Sequence, residues 1–327
     1  MKKIINDPNQ VVNDMLAGYT AAYPDEVKQL PDTTVITKKN APVQHKVGIV
    51  SGGGSGHEPA HAGYVGKGML DAAVAGEVFT SPTPDQVLEA IKAVDAGKGV
   101  LLVIKNYSGD VINFDMAKEM AEAEGIEVES VVVKDDVAIE NIEDRRGIAG
   151  TILVHKVAGA KAEEGATLQE VKATAEKTIT NVRSMGIALD SCIVPAAGTP
   201  SFELKENEME VGIGIHGEPG IERKEISSAD AIAEELLDTV LQDMDFTGEV
   251  AVMVNGMGST PEMELFIVNK KVQAILADKN IHAYKTLVGE YMTSLEMTGC
   301  SITVLKLDDE LKRLLDAPSF APAFRNE

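Results

Sequence analysis

The sequence predicts an α/β protein of two α/β domains, the first a doubly wound, mostly parallel sheet and the second a smaller α/β layered unit. Three observations carry this. The runs at 46–50 (KVGIV) and 99–104 (GVLLVI) are continuous and rich in β-branched residues, as strands buried on both faces are. Between them, Pro84 to Ala96 places Val87, Leu88, Ile91 and Val94 at helical spacing behind Pro82 and Pro84. A chain of 327 residues with 44% apolar content favours two cores over one.

The remaining elements follow in chain order. A helix at about 114–124 leads to the apolar run 126–133 (IEVESVVV), which extends the strand and helix alternation of a parallel sheet. Residues 147–182 read as two helices separated by Glu164-Gly165-Ala166-Thr167, with Thr167 capping the second. Apolar runs at 187–194 and 209–215, an acidic helix at 228–243, a strand at 249–254, a helix at about 261–277 and a strand at 301–307 build the second layer. The boundary is placed at 184, giving domains 1–184 and 185–327. No repeat or low-complexity linker separates them, so the two are expected to pack together.

Charge narrows the function. Lys plus Arg number 30 against 52 Asp plus Glu, a net charge of -22, which excludes nucleic acid and anionic membranes as partners and favours a neutral substrate. Cys192 and Cys300 lie far apart without metal-ligand spacing, as in a reducing compartment. Of the six histidines only His57 and His61 stand at H-x-x-x-H spacing, none has a Cys partner, and they are read as giving no zinc site, so no metal is expected. Lys2-Lys3 is followed by only Ile4-Ile5 before the chain turns polar at Asn6-Asp7, so there is no signal-peptide core, and no run approaches the ~20 apolar residues of a membrane span. The chain reads as cytoplasmic.

Three clusters can carry chemistry. Ser51-Gly52-Gly53-Gly54-Ser55-Gly56-His57-Glu58-Pro59 follows a strand and lets backbone N–H groups approach a ligand. It misses the dinucleotide fingerprint at His57, lacks the Gly-Lys-Ser/Thr of a phosphate loop, and fails as a nucleophile elbow because Gly56 is followed by His57. His57 reads equally as a helix-start histidine bonded to backbone. Lys105-Asn106-Tyr107-Ser108-Gly109-Asp110 ends the second strand, where Lys105 and Asp110 can converge on one small ligand and Asp110 can act as a base. The bland alternative is a turn with Asp110 capping the helix after it. In Gly212-Ile213-Gly214-Ile215-His216-Gly217-Glu218-Pro219-Gly220, glycines run along a short strand and His216 leaves it with space around it, a setting suited to a nucleophile. His45, His61, His155 and His282 read as surface or structural. Asp135-Asp136 and Glu143-Asp144 read as solvated turn residues, and Arg145-Arg146-Gly147 as an ion pair with Glu143 and Asp144 or a binding feature.

Together these clusters resemble the dihydroxyacetone kinase K-domain family. The likeness covers Val50 to Gly63, Gly76 to Asp85, Ile104 to Asp110 with Asn113-Phe114, Val194 to Gly198 with Pro200-Ser201-Phe202, Asn207 to Glu210 with Gly212 to Gly220, and Thr293 to Gly299. The resemblance implies that His216 adds to the carbonyl of dihydroxyacetone as a hemiaminal. It likewise implies that Asp110 is the base for the hydroxyl being phosphorylated, that His57 supports the reacting substrate, and that Gly53, Gly54 and Lys105 hydrogen-bond it. Addition to a carbonyl separates a triose from glycerol, which has hydroxyls only. The chain shows no nucleotide loop and no cluster of metal-binding carboxylates. By the resemblance, ADP or ATP and Mg belong to a separate nucleotide-binding L subunit linked to a phosphoenolpyruvate-dependent phosphotransferase chain, this chain needs no cofactor, and it is a homodimer.

Two departures stand out. The loop between Asp135-Asp136-Val137-Ala138 and Arg145-Arg146-Gly147 is shorter than usual, and Asn255-Gly256-Met257-Gly258 replaces an Asn-Asn pair. They open an alternative reading, a non-catalytic paralogue that binds dihydroxyacetone and co-activates a transcription regulator. An unrelated hydrolase using Ser55 and His57 is the third.

Overall fold

The computed structural model describes residues 2–327. In chain order the strands are β1 (Val27–Gln29), β2 (Val35–Lys38), β3 (Gly48–Ser55), β4 (Ala72–Val78), β5 (Val100–Lys105), β6 (Val128–Val133), β7 (Val182–Asp190), β8 (Glu208–Val211), β9 (Glu222–Glu225), β10 (Glu249–Gly256), β11 (His282–Gly289), β12 (Thr298–Lys306), β13 (Ser319–Ala321) and β14 (Phe324–Asn326). The helices are α1 (Val11–Ala22), α2 (Pro84–Val94), α3 (Ser108–Ala123), α4 (Thr151–Glu163), α5 (Leu168–Asn181), α6 (Ala229–Gln242), α7 (Glu262–Asp278) and α8 (Asp309–Asp316).

The first sheet has the order β1-β2-β4-β3-β5-β6. Its heart is parallel, with β3 pairing β4 and β5 and β5 pairing β6, while β1 and β2 add an antiparallel edge. Period-two alternation sends Val50, Leu102 and Ile104 against α2 and α3, and Ile49, Leu101 and Val103 against α1, α4 and α5. Helices therefore cover both faces, as the sequence predicts. The connection from β3 to α2 is not direct, however. Small residues of Ala72–Val78 form β4, a strand whose composition gave no apolar run to read.

The second sheet has the order β11-β10-β12-β7-β8-β9 and is antiparallel except between β10 and β11. Helices α6 and α7 bury Leu236, Leu237, Val268 and Val272 on one face. On the other, α4 and α8 pack Leu153, Val157, Leu311 and Leu314 against Val182, Ala251 and Leu305.

Helix α4 serves both sheets. Its Ile152, Val154 and Ala158 join the first core while Leu153, Val157 and Ala160 join the other. A helix apolar all round belongs in a protein interior, and even His155 and Lys156 are fully buried here. The break before α5 is as expected, with Thr167 and Glu170 forming a reciprocal capping box. Residues 319–326 return to the loop before β4, where Phe320 N donates to Lys67 O at 2.9 Å.

Four local expectations need correction. Helix α3 begins at Ser108 instead of about 114, so Asp110 lies in its first turn and Tyr107 takes the capping position. The strand expected through 215 stops at Val211, where Gly212 turns with φ 76°, and Ile213 and Ile215 are buried as irregular backbone. Asp135 and Asp136 are fully buried. Asp135 accepts N–H bonds from Ile148 and Gly150 at 2.8 Å each, whereas Asp136 pairs with Arg146 Nε at 2.7 Å. Arg145 forks onto Asp243 at 2.9 and 2.5 Å, so neither arginine pairs with Glu143 or Asp144. These carboxylates looked solvated because their partners are distant in sequence.

Candidate active site

The first half of the site lies at the carboxyl ends of β3 and β5, where parallel sheets place ligands. Lys105 is the last residue of β5, and Asp110 follows within the first turn of α3. Both side chains lie against Gly53: a Cβ there would meet Lys105 Nζ at 3.2 Å and Asp110 Oδ2 at 3.4 Å. Gly54 is required by close packing, since its Cβ would fall 2.6 Å from Thr80 N.

His57 leaves β3 fully buried, with Nδ1 2.8 Å from the Thr293 carbonyl. A carbonyl only accepts, so Nδ1 carries the proton and Nε2 keeps its lone pair. Ser55 donates its hydroxyl to Gly76 O at 2.7 Å and forms no dyad with His57, which removes the hydrolase reading.

The second half follows β8. His216 Nδ1 sits 2.8 Å from Glu218 Oε1, and the His216 backbone N–H donates to Glu218 Oε2 at 2.9 Å. Burial pushes the Glu218 carboxyl up, but its bonds to His216 prevail and hold it down at about 2. An ionised acceptor on Nδ1 leaves the free lone pair of His216 on Nε2. The ring is 19% exposed, so it is neither sealed in packing nor loose.

The halves meet. The His57 and His216 rings have centroids 4.8 Å apart, and Tyr107 and Phe79 stand edge-on to His216 at 4.6 and 5.2 Å. Phe79 also stacks on His57 and holds a left-handed φ of 57°, a strained conformation for an aromatic residue. Lys105 Nζ lies 5.4 Å from the Tyr107 ring centre. The motif from Thr293 stitches the parts together: Thr293 hydroxyl donates to Glu58 O at 2.7 Å, Leu295 N to Gly56 O at 2.6 Å and Ser294 hydroxyl to Ile215 O at 2.5 Å.

His57 Nε2, Lys105 Nζ, Asp110 Oδ1 and Tyr107 OH are all buried without a partner among the described residues. Such groups are costly to leave unmet, and four in one place mark a site built for a small polar guest. Burial drives His57 well below the usual histidine range, with Lys105 and His216 pushing the same way, and it also lowers Lys105 against the pull of Asp110 and Glu218. All six residues singled out in the sequence, Gly53, Gly54, His57, Lys105, Asp110 and His216, thus fall in one region. Glu218, Tyr107, Phe79 and Thr293 were not singled out. All four lie in stretches that carry the resemblance, and the His-Gly-Glu spacing offered a further signal, a carboxylate two residues past a candidate nucleophile.

Comparisons with known proteins identify the relatives of this chain. The model of a family described as the Dak1 domain matches residues 17–323. The dihydroxyacetone-binding subunit DhaK of PTS-dependent dihydroxyacetone kinase 1 from Listeria innocua is 53% identical over 95% of each chain. The corresponding PEP-dependent subunit of Escherichia coli is 44% identical over 99% of each. Among solved structures, the native dihydroxyacetone kinase of C. freundii superposes with TM-score 0.92 at 35% identity, covering 99% of this chain and 60% of that one. The dihydroxyacetone kinase operon co-activator Dha-DhaQ superposes with TM-score 0.90 at 36% identity over 98% and 99%.

Proposed function

Because the chain belongs to the Dak1 domain family, we propose that it is the dihydroxyacetone-binding subunit of a dihydroxyacetone kinase, capturing its substrate covalently on His216. The observation that carries this reading is the pairing of an anchored His216 with four unpartnered polar atoms beside it. Nε2 adds to the carbonyl carbon, an N–C bond forms, and the carbonyl π pair moves to oxygen. Positive charge then develops on the ring, facing the Glu218 carboxylate. The new oxyanion takes a proton from the Lys105 ammonium, whose burial loosens its hold on that proton. His57 Nε2 accepts a hydrogen bond from a substrate hydroxyl, since its own proton is committed to Thr293.

Asp110 then removes the proton of the terminal hydroxyl as that oxygen attacks a phosphoryl group. The donor is ATP with Mg, either ATP itself or ATP regenerated on a bound ADP, held by a nucleotide-binding L subunit that a phosphoenolpyruvate-dependent chain recharges, and this chain acts as a homodimer. Among the described residues no helix is long and apolar enough to cross a membrane. The likeness to the co-activator favours a second reading, capture without turnover. Dihydroxyacetone isotopically labelled at its carbonyl tests the first step: its resonance moves from a ketone to a tetrahedral position on the protein, and an unshifted ketone ends the proposal. Turnover with the nucleotide subunit and donor then separates kinase from sensor.

A further inference from the structure

Segment 145–147, behind the shortened loop, reaches both halves of the site. Gly147 lies on β5, where a Cβ would meet Lys105 Cα at 2.9 Å and Val133 O at 2.7 Å. Asn106 next to Lys105 holds this backbone, its amide donating to Glu143 O at 2.9 Å and Arg145 O at 2.8 Å. Arg146 turns the other way. Its Nε donates to Asp136 Oδ2 and its Nη2 to Gly212 O, each at 2.7 Å. The remaining nitrogen, Nη1, and Glu218 Oε2 lie 2.6 and 2.1 Å from the point that a Cβ on Gly214 would occupy, so the guanidinium also borders the carboxylate that anchors His216. Arg146 and Asp136 side chains are 9% and 0% exposed, which leaves neither charge an alternative partner in water.

We infer that Arg146 is a positioning residue whose forked guanidinium sets the spacing between the Lys105–Asp110 half and the His216–Glu218 half of the site. This rests on the proposed function, because only capture on one half followed by transfer at the other needs a fixed spacing. Arg146 does not touch the substrate. Lysine keeps the charge but cannot reach Asp136 and Gly212 O from two separate nitrogens, so R146K separates charge from geometry. D136N/R146Q removes both buried charges together and so leaves neither unpaired.

Two measurements decide it. Without ligand, exchange of the His216 Nδ1 proton with water, followed by NMR, is expected to rise about tenfold or more in both variants as Glu218 loosens. With dihydroxyacetone, the adduct dissociation constant stays within about threefold of wild type while kcat with the nucleotide subunit falls about ten- to a hundredfold, the effect of misplacement by an ångström. Unchanged proton exchange overturns the inference, and so does a fall in kcat matched by equal losses of adduct and Tm, as for a merely structural residue. If the wild-type chain forms no adduct, the functional reading fails while proton exchange still settles the role of Arg146.

Discussion

The protein holds two close pairs of imidazoles, and they are built on different plans. His57 and His216 do not bond to each other; each gives its Nδ1 to a separate acceptor, Thr293 O or Glu218, and keeps Nε2 free. His61 and His155 instead bond to one another, with His61 Nδ1 3.0 Å from His155 Nε2 and both rings buried, and the second nitrogen of each, His61 Nε2 and His155 Nδ1, has no partner among the described residues. Burial lowers both of these histidines, and the charge of Lys105 adds to it. A histidine becomes a tool when a third group fixes its tautomer, and becomes filling when its partner is another histidine.

Breaking the reactive pair has the largest expected effect. H216A abolishes the adduct and lowers turnover by at least about a thousandfold, measured by labelled-substrate NMR and the coupled assay; an adduct that persists would refute the nucleophile. D110N keeps adduct affinity within about threefold but loses about a hundred- to ten-thousandfold in turnover, a contrast that H216A cannot show. E218Q leaves His216 in place with an ambiguous tautomer, and kcat/KM drops by about tenfold to a hundredfold.

The structural pair responds differently. H155L leaves His61 Nδ1 unpaired in the interior and lowers unfolding free energy by about 1–3 kcal/mol in denaturant titrations, with adduct affinity unchanged. A weakened adduct would show that the two pairs communicate. The smallest effect is in pH. Glu218 is held down at about 2 against an ordinary 4.5, so its stabilisation is present above 4.5 and is lost as pH falls towards 2. With a third of that side chain exposed, the contribution is on the order of 1 kcal/mol. Acid unfolding of E218Q should lack that portion of the slope.

Much of the fold was legible where a strand or helix declared itself alone. The continuous runs of β3 and β5, the apolar stripe of α2 and the Thr167 cap depend on near neighbours and needed nothing else. Elements whose reason lies elsewhere were missed. Strand β9 (ERKE) is an exposed, charged edge, and β4 is made of small residues lodged between β2 and β3. The start of α3 was hidden because Ser108-Gly109-Asp110 is turn-like in composition, yet the first turn of a helix tolerates it. The same division holds in the site. Glycine-flanked His57 and His216 were visible, while the choice of free nitrogen on each depends on Thr293, 236 positions away from His57, and on a carboxylate whose aim only the turn at Gly217 determines.

Helix α4 has a consequence for inheritance. Since one face of it completes the first core and the other completes the second, neither sheet can be exchanged between relatives as a module without importing half of a helix selected for a different neighbour. Recombination within this chain should therefore be rare at the midpoint, where sequence length alone would suggest a seam.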